Sequence, residues 1–100
     1  MTVEWTEPAV LDLEGIRDFI GRDSKHYATR FVEKVVEAVE NLAKFPKIGR
    51  NVPEVEEENI RELLLHSYRI IYRVETHRIL ILTVIHGARD LTRRKPKPWD

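Results

Sequence analysis

The sequence predicts one α+β domain over residues 1–100, in the order β-α-α-β-β-β. An antiparallel helical hairpin packs on one face of a small, mostly antiparallel sheet, with an N-terminal strand before it and an extended C-terminal tail after it. Two late runs, Arg69 to Val74 (RIIYRV) and Ile79 to Ile85 (ILILTVI), are rich in β-branched and aromatic residues and too short for helices. Upstream, two segments repeat apolar residues at helical spacing across a gap of about three residues, and helices so joined run antiparallel. The second late run is apolar on both faces, with Ile79, Ile81 and Ile85 on one and Leu80, Leu82 and Val84 on the other. That marks a central strand needing two covers, the second supplied by the chain's own termini or by a partner.

Val3 to Thr6 alternates apolar and polar residues and then meets Glu7-Pro8, so a short first strand stops where a helix starts. Thr6 caps that helix, and Pro8 is tolerated in its first turn. Ala9, Leu13, Ile16 and Ile20 form its apolar stripe, and it ends near Gly21. Asp23 or Ser24 caps a longer helix whose stripe runs through Ala28, Phe31, Val32, Val35, Val36, Val39, Leu42 and Ala43.

The stretch Phe45 to Pro53 breaks this helix with two prolines and a glycine, and a loop carrying Glu54, Glu56, Glu57 and Glu58 follows. Ile60 to Leu65 reads as a strand, with His66-Ser67 as a tight connection into Tyr68. Glu75 to Arg78 joins the last two strands without Gly or Pro, which predicts a longer or bulged hairpin rather than the favoured two-residue type. In the tail, Pro96 and Pro98 forbid a regular helix.

With 42% apolar and 34% charged residues the composition is that of a soluble globular protein. The absence of cysteine removes disulfides, thiolate chemistry and cysteine-rich zinc sites, and a reducing cytoplasm is the simplest compartment. No apolar run approaches the ~20 residues of a membrane helix, and the N-terminus lacks a secretion signal. Seventeen basic residues balance seventeen acidic ones, which argues against tight non-specific nucleic-acid binding. The charges are unevenly placed, however, and Arg89, Arg93, Arg94, Lys95 and Lys97 make the end of the chain basic.

Among single residues, Arg69 is either a strand residue paired with a carboxylate such as Glu62 or a ligand for an anionic substrate. Arg89 lies just past the last strand, where loops carry function. His86 is either a general acid or base, with an unperturbed pKa of ~6.5, or a strand-end residue bonded to a backbone carbonyl. The four histidines lack metal-ligand spacing and the glycines form no phosphate loop, so neither metal nor cofactor is expected. The Arg93–Lys97 stretch is a solvated terminus or a nucleic-acid contact. Trp99 packs back on the sheet or docks on a partner.

Taken together, several short motifs resemble the ParE/RelE superfamily of bacterial type II toxin–antitoxin toxins. They are Trp5-Thr6 with Ala9 and Asp12-Leu13; Ala28 with Phe31-Val32; Phe45-Pro46, Gly49-Arg50 and Val52-Pro53-Glu54; Ile60 to Leu63; Tyr68 to Tyr72; and Val84 to Leu91 (VIHGARDL). The resemblance implies one of two activities, since RelE-like members cut mRNA on the ribosome and ParE-like members act on DNA gyrase. RelE-like enzymes use lysines on the strand before the Tyr-Arg element, the arginine of that element, a second arginine after the last strand, and often a late tyrosine or histidine. Arg69 and Arg89 match the two arginines, but Arg61 and Glu62 stand where lysines are expected and no tyrosine follows Tyr72. A carboxylate there repels phosphate.

The resemblance therefore implies a ParE-like toxin that inhibits DNA gyrase by binding, is neutralised by a cognate antitoxin, and contacts partners through Arg89, Arg93, Arg94 and Trp99. The alternative it leaves is a metal-independent, ribosome-dependent mRNA endoribonuclease using Arg69, Arg89, His86 and Arg61.

Overall fold

A single hydroxyl decides where the first strand ends and the first helix begins. In the computed structural model, which describes Met1–Asp100, Thr6 Oγ1 accepts from the amide of Ala9 at 3.3 Å and donates to the Ile81 carbonyl at 2.7 Å. It caps α1 (Glu7–Gly21) while anchoring the end of β1 (Thr2–Trp5) to the sheet. Gly21 ends α1 without a left-handed backbone, and a Cβ there would make only an ordinary contact with that of Ala28 at 3.7 Å, so neither turn nor packing requires glycine. Ser24, rather than Asp23, caps α2 (Lys25–Asn41) by accepting from the Tyr27 amide.

The sheet continues with β2 (Arg50–Asn51), β3 (Ile60–Leu65), β4 (Tyr68–Val74) and β5 (Arg78–His86), in the spatial order β1-β5-β4-β3-β2. β1 runs parallel to β5 and all other pairs are antiparallel. β4 is thus the middle strand, and β5 lies inside the sheet between β1 and β4, covered on both of its apolar faces. The strand β2 corrects the reading of residues 45–59 as loop: Arg50 and Asn51 pair with Glu62 and Arg61. Two residues beside prolines and a glycine show no periodicity, so the sequence carries no signal for it.

The β4–β5 connection is three residues, Glu75 to His77, closed by the Glu75 amide on the Arg78 carbonyl at 2.9 Å. A bulge follows, because Ile71 opposes Thr83 while Tyr72 opposes Ile81, leaving Leu82 as the extra residue. The bulge overturns the strict alternation expected for β5. Val84 joins Ile79 and Ile81 on the helical face, whereas Ile85 joins Leu80 and Leu82 on the other.

Helices and sheet meet over Ala9, Phe31, Val35, Val39, Leu42, Ile70, Tyr72, Ile79, Ile81 and Val84. Each large side chain buried there contributes about 1.5–3 kcal/mol. The second cover comes from the chain itself: Val52, Val55, Leu91 and Trp99 pack on Ile60, Ile71, Leu80, Leu82 and Ile85. The tail holds neither helix nor strand, and it turns back along the sheet, with the Trp99 carbonyl accepting from Arg73 Nη2 at 2.6 Å.

Candidate functional site

Pairing across β3, β4 and β5 places residues of one face side by side, and this arithmetic builds the site. Glu62 and Arg69 both point to the tail side of the sheet, and the loop bearing Glu54 crosses that side. Arg69 Nε donates to Glu62 Oε1 at 2.7 Å, and Nη1 and Nη2 form a fork with the Glu54 carboxylate at 2.8 and 2.7 Å. Nη1 also donates to the Arg89 carbonyl at 3.2 Å, and Nη2 lies 2.7 Å from Glu62. A guanidinium has five N–H donors, and here four are hydrogen-bonded while Nη2 is also within ion-pair distance of Glu62.

Glu62 is fully buried and takes a second cation, Arg50, whose Nε approaches Oε2 at 2.6 Å. Two arginines thus meet two carboxylates, and the cluster is neutral. The Arg69 hydrogen bonds hold the Glu54 carboxyl below the usual carboxylate range against the opposing effect of burial, with the Leu91 amide adding to the lowering. Glu54, chiefly, raises the Arg69 pKa above its ordinary value, with burial opposing and Glu62 assisting. Because Arg69 holds the Arg89 carbonyl and Glu54 accepts from the Leu91 amide at 3.3 Å, the network also fixes the loop after β5.

An open cleft of about 640 Å³ lies at this end of the sheet, lined among others by His66, Tyr68, Arg69, His86 and Arg89. His86 stands edge-on to Tyr68 at 5.6 Å, and Tyr68 packs in turn on Phe31 at 5.0 Å. Instead of bonding a backbone carbonyl, as the sequence reading allowed, His86 Nδ1 accepts from the Ala88 amide at 3.1 Å, leaving Nε2 as the proton-bearing nitrogen of the neutral ring. His66 opens the two-residue β3–β4 turn at a φ of 53° and reaches within 3.5 Å of Lys34 Nζ. The exposed guanidinium of Arg89 takes part in no ion pair or side-chain hydrogen bond.

Of the four residues assigned to a nuclease, the cleft gathers Arg69, His86 and Arg89. Arg61 is a correction: adjacent residues of a strand face opposite ways, so it projects to the side away from Glu62 and Arg69. There its Nη1 donates to the carbonyls of Gly49 at 2.9 Å and Lys47 at 3.4 Å. Of the assigned partner contacts, Arg93 and Arg94 are exposed without a carboxylate partner, and Arg94 joins Arg89 at the mouth of a second groove along α1. Trp99 is half-buried against its own sheet. Sequence reasoning missed Glu54 and Arg50, which sit in an acidic run and a Gly-Arg turn that give no hint of converging on β3 and β4.

A helical hairpin laid on a five-stranded sheet, with an arginine-bearing loop closing the last strand, is the arrangement of the ParE/RelE class of small toxins. Residues 3–91 match the family described as the ParE toxin of the type II toxin-antitoxin system parDE. The chain is 35% identical over 88 residues to "Toxin RelE2" of Caulobacter vibrioides, covering 87% of this chain and 96% of that protein. It is 35% identical over 87 residues to "Putative toxin Y4kP" of Sinorhizobium fredii, covering 85% and 86%. Among solved structures it is similar to a chromosomal ParDE toxin–antitoxin system from P. aeruginosa, with a TM-score of 0.71, 28% identity and coverage of 86% and 95%. The RelBE2 toxin–antitoxin complex of Mycobacterium tuberculosis, at 24% identity, shares the fold with a TM-score of 0.63, covering 85% of this chain and 95% of that one. The chain belongs to the ParE toxin family of type II toxin–antitoxin systems.

Proposed function

We propose that this toxin inhibits DNA gyrase by binding it, in the cytoplasm, and that a cognate antitoxin holds it inactive. The observation that carries this reading is the state of Arg69. RNA cleavage without a metal needs a cation free to stabilise the charged phosphorane, yet this guanidinium is buried and makes four hydrogen bonds to Glu54, Glu62 and a backbone carbonyl. Phosphate would have to displace two carboxylates.

Neutralisation by an antitoxin is supported by the groove along α1. Leu11 and Phe19 are 58% and 62% exposed there, on either side of Gly15, next to Arg89 and Arg94. An amphipathic segment with an apolar face and acidic flank fits such a surface.

The second reading, a ribosome-dependent ribonuclease, is favoured by one observation: His86 and Arg89 line the same cleft with no carboxylate bound to either side chain. One pair of assays separates the two. Purified toxin is tested for inhibition of gyrase supercoiling and for cleavage of translated mRNA. Supercoiling inhibition that weakens in Arg89→Ala, with intact mRNA, is the expected result; ribosome-dependent cuts lost in His86→Ala or Arg89→Ala would establish the ribonuclease instead.

A further inference from the structure

At the end of the sheet away from Arg89, the Phe45–Ile48 turn forms an apolar platform that neither the fold nor the cleft explains. Phe45 and Ile48 are 55% and 58% exposed, and with Met1 and Val74 they line a cleft of about 530 Å³. Large apolar side chains on a mobile loop need no explanation, but this turn is held rigidly. Tyr72 Oη donates to the Pro46 carbonyl at 2.8 Å and accepts from the Gly49 amide at 3.0 Å, while Arg61 grips the Gly49 and Lys47 carbonyls. Gly49 lies so close to Tyr72 Oη and the Glu62 carbonyl that a Cβ would sit 2.6 Å from each. The turn is built to present Phe45 and Ile48 outward.

The charges lining the platform have one sign. Lys44 and Lys47 line it and no carboxylate does; Glu58 reaches Lys47 at 3.9 Å with both side chains largely exposed, and Glu75, next to Val74, is paired with Arg73 and Arg78. Seven residues of β4 separate this end from the Arg89 end, which is about 20 Å at strand rise. A single compact patch cannot cover both, whereas an extended arm can.

We infer that this platform is a second anchor for the antitoxin, taking an acidic segment that inserts one bulky apolar side chain between Phe45, Ile48 and Val74. The inference rests on the toxin–antitoxin reading above and adds to it the chemistry of a separate contact. The antitoxin fits better than the target, because a stored toxin must keep such apolar surface covered.

The experiment uses full-length toxin and the antitoxin encoded beside it, with affinity measured calorimetrically at two salt concentrations. Phe45→Ser/Ile48→Ser is expected to weaken binding about tenfold or more, with circular dichroism and gyrase inhibition unchanged. Lys44→Glu/Lys47→Glu is expected to weaken it too, and to flatten its salt dependence. Unchanged affinity in both variants would overturn the anchor while supercoiling inhibition leaves the toxin reading standing. Loss of gyrase inhibition with antitoxin affinity intact would assign the platform to the target and overturn the inference. A wild-type toxin that neither binds the antitoxin nor touches gyrase would remove both.

Discussion

Arg69 shows how a residue type that suggests chemistry is turned to structure by its neighbours. Glu62 has no side-chain exposure and Glu54 only 11%, so removing the arginine strands Glu54 and leaves Glu62 with Arg50 alone. Arg69→Ala should therefore cost about 3–5 kcal/mol, read from urea unfolding; a loss under about 1 kcal/mol would mean that water reaches the pair. The same bonds set an acid limit. The folded-state pKa of Glu54 lies below its unfolded value of about 4.3, so its contribution is fully present above that pH and fades as pH falls through the folded value. Glu54→Gln should flatten the loss of stability below about pH 4.3, and an unchanged acid limb would place the titration elsewhere. His66 is strained in a different way. At a φ of 53° in a two-residue turn it occupies a conformation that favours glycine. Since its contact with Lys34 is exposed, His66→Gly should stabilise by up to about 1 kcal/mol, roughly 4–8 °C in thermal midpoint.

The seam between α1 and β5 depends on one carboxylate. β1 pairs with β5 only as far as Trp5 and Ile81, so beyond that point the edge of β5 lacks a strand neighbour. Asp12 of α1 fills the gap, its Oδ2 accepting from the Thr83 hydroxyl and the Val84 amide. Asp12→Ala leaves both donors unpaired and should destabilise by about 1–3 kcal/mol, with hydrogen exchange accelerated at Val84; protection there unchanged would show that water already serves this edge. The seam also shows what was legible in the sequence. The helices, the three long strands and the two covers over β5 follow from periodicity, because burial on one or two faces imposes it. The Leu82 bulge does not, since no glycine marks it and both Val84 and Ile85 are apolar, so the sequence reads the same whichever faces the helices. Glu62 is legible as a partner of Arg69, whereas Glu54 is one glutamate in a run of four. Arg61 looks equivalent to its neighbour Glu62 until the pleat sends it to the opposite face.

The chain as a whole is one fold with an added strap. The family match ends at Leu91, which is buried, and the residues beyond it supply Trp99 to the back of the sheet. The strap closes on itself: Lys97 Nζ donates to the carbonyls of Thr92 and Arg94, and Asp90 caps the Thr92 amide. Asp90 carries a lowered pKa from that same amide. Deleting residues 92–100 leaves the helix–sheet core untouched, so far-ultraviolet circular dichroism should persist. Stability should nevertheless fall by about 2–3 kcal/mol as Trp99 burial is lost and Leu80 and Val55 meet water. The deletion also removes four cations and one carboxylate, Arg93, Arg94, Lys95, Lys97 and Asp100, so under the proposed gyrase-binding function a loss of inhibition alone would be ambiguous. Arg93→Ala/Arg94→Ala resolves it, because this pair keeps Trp99 in place while removing two unpaired guanidiniums. If the cations touch the target, the double variant should lose inhibition at unchanged thermal stability. If only the apolar cover matters, it should inhibit like the wild type, and Trp99→Ala should reproduce the truncation.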